Sequence, residues 1–203
     1  MFKLNKFKIS VIISGGQTGA DRGGLDFAIK NKIKHGGWCP FGRKAEDKVI
    51  PPCYSLLETN TSLYPARTRM NIRDSDATLV FSSDVNSKGS LLTTRFCIEL
   101  NKPYYVVVLD KNNLDKLKGL SLKGICQKIL KWLDKLKPCI LNVAGTRESH
   151  CPGIQTKVAY ILDLLLEKSE KELDWPPAKP KNLTLFGKAE SQAKLGNGIG
   201  YKV

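Results

Sequence analysis

The chain has 203 residues, with 33 lysines and arginines against 19 aspartates and glutamates, a net charge of +14 and 41% hydrophobic residues. Those values suit one ordinary domain plus a tail and exclude a wholly disordered or fibrous protein. The apolar runs, such as 104–109 and 160–166, fall well short of the ~18–20 residues that cross a bilayer.

Lys3, Lys6 and Lys8 precede a brief apolar stretch, but a glycine-rich loop follows where a secretory signal would carry a cleavage site. Residues 8–14 (KISVIIS) therefore read as a first buried strand, and the protein as cytoplasmic. GGQTGADRGG leads into a helix around residues 25–29. The turn-rich segment 35–52 is long for a loop, and loops of that length usually carry function. A helix is expected at 66–74, a strand at 77–82, and a helix at 90–100 with Ser90 as its N-cap. A third strand follows at 104–109, then an amphipathic helix at 114–136, a fourth strand at 139–143 and a closing helix at 153–166. Alternating strands and helices predict an α/β fold, a Rossmann-like doubly wound parallel sheet with helices on both faces. The domain is expected to span 1–170. Residues 171–203 are charged, Pro-interrupted and then Gly-rich, and read as a flexible linker and tail.

Six cysteines without C-x-x-C spacing and only two histidines argue for reduced thiols and against a metal centre. The 26 lysines are dispersed. The seven arginines (Arg22, Arg43, Arg67, Arg69, Arg73, Arg95 and Arg147) all lie in or beside expected loops or element ends, as residues that meet an anion would.

In an open parallel sheet the ligand crevice forms at the carboxyl ends of the strands. Four segments are expected there. The first is Gly15, Gly16, Gln17, Thr18, Gly19, Asp21 and Arg22, where glycines let a phosphate approach the backbone at a helix N-terminus. It has neither the P-loop nor the G-x-G-x-x-G spacing. The second is Arg67, Asn71, Arg73, Asp74 and Asp76. The third is Gly89, Ser90 and Thr93, and the fourth Asn142, Gly145, Arg147 and Glu148.

The segments SGGQTGADRGGLDFAI, GGWCPFGRKAEDKVIP, YPARTRMNIRDSDATLVF, KGSLLTT and NVAGTRES, in that order, resemble the molybdenum-cofactor carrier family. That family lies within the SLOG group of Rossmann-like domains, related to the LOG phosphoribohydrolases and to DNA-processing domains. The resemblance covers about residues 8–168. It implies a homo-oligomer that binds a phosphate-bearing ligand: molybdenum cofactor (molybdopterin), a pterin phosphate or a nucleotide. Carried over residue by residue, it adds Trp38, Arg43, Glu46 and Asp47 to the ligand-lining set. LOG-type hydrolases resemble P-G-G-x-G-T-x-x-E at the third loop. Here residues 88–95 read KGSLLTTR, without a carboxylate, and Glu99 lies one helical turn further on. A binding or carrier role is thus favoured over hydrolysis. A LOG-type phosphoribohydrolase using a relocated carboxylate is the alternative, and single-stranded nucleic-acid binding a weaker one, motivated by the net charge. No membrane partner is expected. A valine at Gly16 is expected to abolish binding with the fold intact, and loss of Arg67 or Arg73 to weaken it.

Overall fold

The computed structural model describes residues 9–84, 86–109, 116–117 and 120–170. The expected tail, 171–203, lies outside the described residues, as do residues 1–8.

Five strands form the main sheet: β1 (Val11–Ile13), β2 (Lys34–Gly36), β3 (Ala77–Ser82), β4 (Tyr104–Val108) and β5 (Ile140–Gly145). Their spatial order is β2-β1-β5-β3-β4, and every pairing is parallel. The helices are α1 (Ala20–Lys30), α2 (Tyr64–Arg73), α3 (Lys88–Glu99), α4 (Leu122–Leu136) and α5 (Ile154–Glu170). The fold is the expected Rossmann-like α/β arrangement.

Alternation along β3 and β5 sends side chains to two different layers. Leu79, Phe81, Leu141 and Val143 belong to one face, where α1, α4 and α5 close the core with Phe27, Ile129, Trp132, Leu133, Ile161 and Leu165. Helix α1 can lie this close because it carries Gly23–Gly24: a Cβ on Gly24 would sit 2.7 Å from Val143 Cβ. On the other face, Thr78 and Asn142 sit side by side under α3, with Asn142 Nδ2 donating to Thr78 Oγ1 at 3.2 Å.

Several expectations need correction. Strand β2 went unforeseen, because Lys-His-Gly pairs on one side only and carries no apolar pattern. Segment 38–58 is not a bare loop. Trp38–Cys39 pairs in parallel with Leu57–Glu58, Lys44–Ala45 pairs antiparallel with Lys48–Val49, and a 3₁₀ turn spans Phe41–Arg43. Its own small core of Cys39, Ala45, Ile50, Tyr54 and Leu56 docks on Leu25 of α1. Helix α4 begins at Leu122, eight residues later than expected, and Lys116–Leu117 pairs antiparallel with Leu120–Ser121 ahead of it. The N-cap of α3 is Ser87, whose side chain accepts from Ser90 N, so Ser90 is the capped residue rather than the cap. None of the six cysteines is in a disulfide. Cys39, Cys97, Cys126 and Cys151 are buried, Cys53 and Cys139 exposed. Among the described residues no helix is long and apolar enough to cross a membrane.

Candidate functional site

The three central strands, β1, β5 and β3, end side by side, and the loops that leave them are bonded together. Ala20 N donates to Thr146 O at 3.0 Å, Thr146 N to Phe81 O at 2.8 Å, and Ser83 N to Thr146 Oγ1 at 3.0 Å. Thr146, which sequence reasoning did not single out, ties all three together. Gly19 stands as the N-cap of α1, and Gly145 ends β5.

Within the first loop, the buried carboxylate of Asp21 meets Arg67 of α2, Nη1 to Oδ2 at 2.9 Å, with the two side chains 2% and 12% exposed. Burial pushes the Asp21 carboxyl up. The Arg67 charge and the backbone N–H groups of Gln17 and Gly145 oppose that rise. An arginine does not give up its proton, so a neutral Asp21 would strand a buried cation; the pair is ionised. Gly15 makes room for this contact, since a Cβ there would lie 1.9 Å from Arg67 Nη1. Gly16 has φ 73°, and a Cβ on it would lie 2.5 Å from Leu56 and 3.0 Å from Ile50. The space beside Gly16 therefore belongs to the small core of segment 38–58. The expectation that a Gly16→Val change spares the fold is corrected: it strains the turn and displaces that core.

Glu46 joins three segments. Its carboxylate accepts from Thr18 Oγ1, from Ser149 Oγ at 2.6 Å and from Ser149 N at 3.2 Å, while its backbone N–H donates to Gln17 Oε1 at 2.9 Å. Partial burial pushes the Glu46 carboxyl up, but the Ser149 and Thr18 hydrogen bonds and the Arg147 charge outweigh it and hold the group below its ordinary value. Beside it Arg22, whose side chain is 8% exposed, binds Asp47 through both terminal nitrogens (2.5 and 2.8 Å) and Gly16 O through Nε at 3.0 Å. The Arg22 hydrogen bonds hold the Asp47 carboxyl below its ordinary value. Arg43 spends its guanidinium on four backbone carbonyls, those of Ile50, Pro51, Tyr54 and Leu56. It holds segment 38–58 together.

Other expected residues take structural posts. Asn71, 1% exposed, accepts from Trp38 N and donates to Trp38 O, and Trp38 Nε1 donates to Asp74. Arg73 binds its neighbour Asp74 on the surface, and the hydrogen bond it gives lowers the Asp74 carboxyl. Asp76 lies at the opposite edge of the sheet, where its carboxylate accepts from Cys139 N and Ile140 N at the start of β5. Asn142 is inside β5, not in the loop after it. For these two the expected place at the carboxyl edge is corrected: Asp76 directly precedes β3 and so lies at the amino end of that strand, and β5 runs on past residue 143. Ser90 bonds Ser82 at 2.7 Å and Thr93 returns to Gly89 O, while a Cβ on Gly89 would meet open space. The Glu148 carboxylate accepts from Gly153 N and from Gln155 N (3.0 Å), capping α5. Glu99 is taken by Arg69 and Arg95 on the surface.

Arg147 differs from the other six arginines. Its side chain has no hydrogen bond or ion pair among the described residues and rests on the Tyr64 ring at 4.8 Å, with Lys44 at 5.9 Å from the same ring. Neither Tyr64 nor Lys44 stands out in the sequence. Among the described residues no cluster of His, Cys, Asp and Glu could hold a metal ion. A shallow depression lined by Ala66, Arg69, Met70, Arg73 and Leu100 lies on a different side of α2 from Arg67 and is no part of this cluster.

A parallel sheet whose central strands all end in one bonded group of polar loops defines an open Rossmann-type α/β domain with its crevice at the carboxyl edge. A family model, the circularly permutated YpsA SLOG family, matches residues 12–166, and the chain belongs to that family. It is similar to a crystal structure named "putative molybdenum carrier protein", from Syntrophus aciditrophicus SB. That likeness has 40% identity and a TM-score of 0.72, covering 78% of this chain and 96% of that one. No curated protein matches the chain. The permutation is visible in the sheet. Counted from β3 through β5 and on to β1 and β2, the strand order becomes 2-1-3-4-5, a doubly wound order whose crevice opens between the first and third strands. Those strands are β3 and β5.

Proposed function

We propose that the protein binds and carries a phosphate-bearing small molecule, whether molybdenum cofactor, a pterin phosphate or a nucleotide, across the carboxyl edge of the sheet. The observation that carries this reading is Arg147. It stands on the loop after β5 with no hydrogen bond or ion pair of its own among the described residues, on the Tyr64 ring that Lys44 also approaches. The name of the similar crystal structure supports a carrier role. The carboxylates at the site support binding over hydrolysis, since Asp21, Glu46, Asp47 and Glu148 are each engaged in holding loops together. Thermal-shift titration with pterin phosphates and nucleoside monophosphates tests this. A ligand at 100 times its Kd adds about 2.7 kcal/mol of stability. Replacing Arg147 with Ala removes about 1.5–3 kcal/mol of affinity for the phosphate-bearing form. If no such ligand moves the melting temperature, the reading is wrong.

A homo-oligomer in the cytoplasm completes the picture. Exposed Phe41, Val49, Leu57 and Leu63 on or beside segment 38–58 favour self-association, and six cysteines outside any disulfide suit a reducing compartment. Light scattering that returns the 22.5 kDa of a single chain would remove the first of these.

A further inference from the structure

Strand β4 ends one side of the main sheet and pairs with β3 alone. Thr78 N donates to Pro103 O at 2.9 Å and Leu109 N to Ser82 O at 2.8 Å, with Val106 registered on Val80 between them. Alternate residues of a parallel ladder bond to the same neighbour. Tyr105 and Val107 therefore turn their backbone groups toward β3, and Tyr104, Val106 and Val108 present theirs on the outer side. Among the described residues no strand meets them there. Such edges are usually guarded by lysine, proline or a bulge. Tyr104–Val108 is aromatic and β-branched throughout, in unbroken register, and carries no guard.

The helix beside this edge adds an apolar row. Ser90, Thr93 and Cys97 of α3 are buried, and Phe96 and Glu99 meet Arg69 of α2. Helix α2 lies on the β1 side of α3, where its Arg67 reaches Asp21. Helical spacing puts Leu91, Thr94 and Ile98 on the remaining side, away from α2 and toward the β4 edge. Leu91 and Ile98 are 51% and 54% exposed. The Tyr105 ring packs on Trp132 of α4, so the side chains of Tyr104, Val106 and Val108 point to the α3 face. Outward backbone groups and the α3 row form one uncharged strip.

Charge indicates what covers it. At +14, two copies of the chain repel one another over most of their surfaces. Antiparallel pairing about a two-fold axis sets each residue against itself or its mirror position, so any charge on the strip would meet its like. With Val106 on the axis, Val106 faces its counterpart and Tyr104 faces the counterpart of Val108, and no charge is opposed.

We infer that a second copy of this chain adds along β4, antiparallel about Val106, joining two five-stranded sheets into one with Leu91 and Ile98 closed against the joint. This rests on the homo-oligomer reading above and gives it a surface apart from segment 38–58. The two-fold axis leaves both carboxyl edges open to ligand.

Sedimentation of the full chain and residue-resolved amide exchange test it together. The particle should have twice the 22.5 kDa of one chain, or a multiple of that. The amides of Tyr104, Val106 and Val108 should be protected along with those of Tyr105 and Val107. Ile98→Lys, at an exposed position, should halve the mass and release the three outer amides alone. Val106→Pro removes one outward N–H and no bond to β3, and should halve the mass as well. Rapid exchange of the outer amides in the parent protein overturns the inference. So does protection that both variants leave unchanged, which would mean that the chain covers its own edge. A 22.5 kDa particle removes this inference and the homo-oligomer reading together. If Leu57→Lys dissociates the oligomer and Ile98→Lys does not, self-association through segment 38–58 stands and the β4 joint falls.

Discussion

Under α1, α4 and α5 the sheet buries Leu79, Phe81, Leu141 and Val143 against Ile129, Trp132, Leu133 and Ile161. At its carboxyl edge it buries Ser14, Gln17, Thr18, Asp21, Ser82 and Thr146 to a similar degree. The first region is held by non-directional apolar packing, in which one side chain can replace another of like volume. In the second, hydroxyls and carboxylates are matched to named partners on other segments, as Asp21 is to Arg67, Ser14 to Val143 O and Thr146 to Ser83 N, so removing one strands the other. Loops joined in that way hold their shape without ligand, which is what a binding site that must not collapse requires.

The largest expected effect breaks the apolar region. Trp132→Ala, at a side chain 1% exposed whose ring centroid is 5.6 Å from that of Tyr105, should cost about 3–5 kcal/mol in urea denaturation. Ile129→Leu at the same face should cost less than about 1.5 kcal/mol. No such leniency is expected at the edge. Asp21→Asn, nearly isosteric, leaves the Arg67 charge buried without its counterpart and should cost about 3–5 kcal/mol. Replacing both partners with apolar residues should cost less than the sum of the two single changes, which a double-mutant cycle measures.

Next in size is Arg43→Ala, which leaves four carbonyls of segment 38–58 without their donor and should cost about 1.5–3 kcal/mol. Amide exchange in residues 38–58 should accelerate while β3 and β5 stay protected. Smaller still is a pH effect. The Glu46 carboxyl sits below its ordinary value of 4.5, so its contribution is fully present above that value and fades as pH falls through the lower folded one. Melting temperature followed from neutral to acid pH should fall less steeply for Glu46→Gln than for the parent protein, because the variant has already given up part of that stability. Salt weakens the difference, because Glu46 is exposed. Last, Lys128→Ala on α4 should stay within about 0.5 kcal/mol of the parent, which separates the matched charges of the edge from general basicity.

Where a segment's own periodicity dictates its burial, the chain announced its fold. Ala77–Ser82, Tyr104–Val108 and the apolar stripe of Leu122–Leu136 are readable because strands buried on both faces and amphipathic helices impose their pattern on any sequence that forms them. The convergence of glycine-, serine- and arginine-bearing loops at one sheet edge was readable too, since the alternation of strands and helices puts them there. Strand β2 was not, because an edge strand of three residues needs only backbone pairing on one side.

The roles of the charged side chains were decided by the tertiary structure alone. Arg22 meets Asp47, Arg67 meets Asp21 and Arg69 meets Glu99, partners 25 to 46 positions apart in the chain, whereas Arg147 meets an aromatic ring. Every arginine carries the same charge and the same fork of donors, so composition and spacing cannot tell one that is spent from one that is free. A charge is used up by whichever group the fold carries to within hydrogen-bond distance, and that contact exists only once the chain has closed on itself.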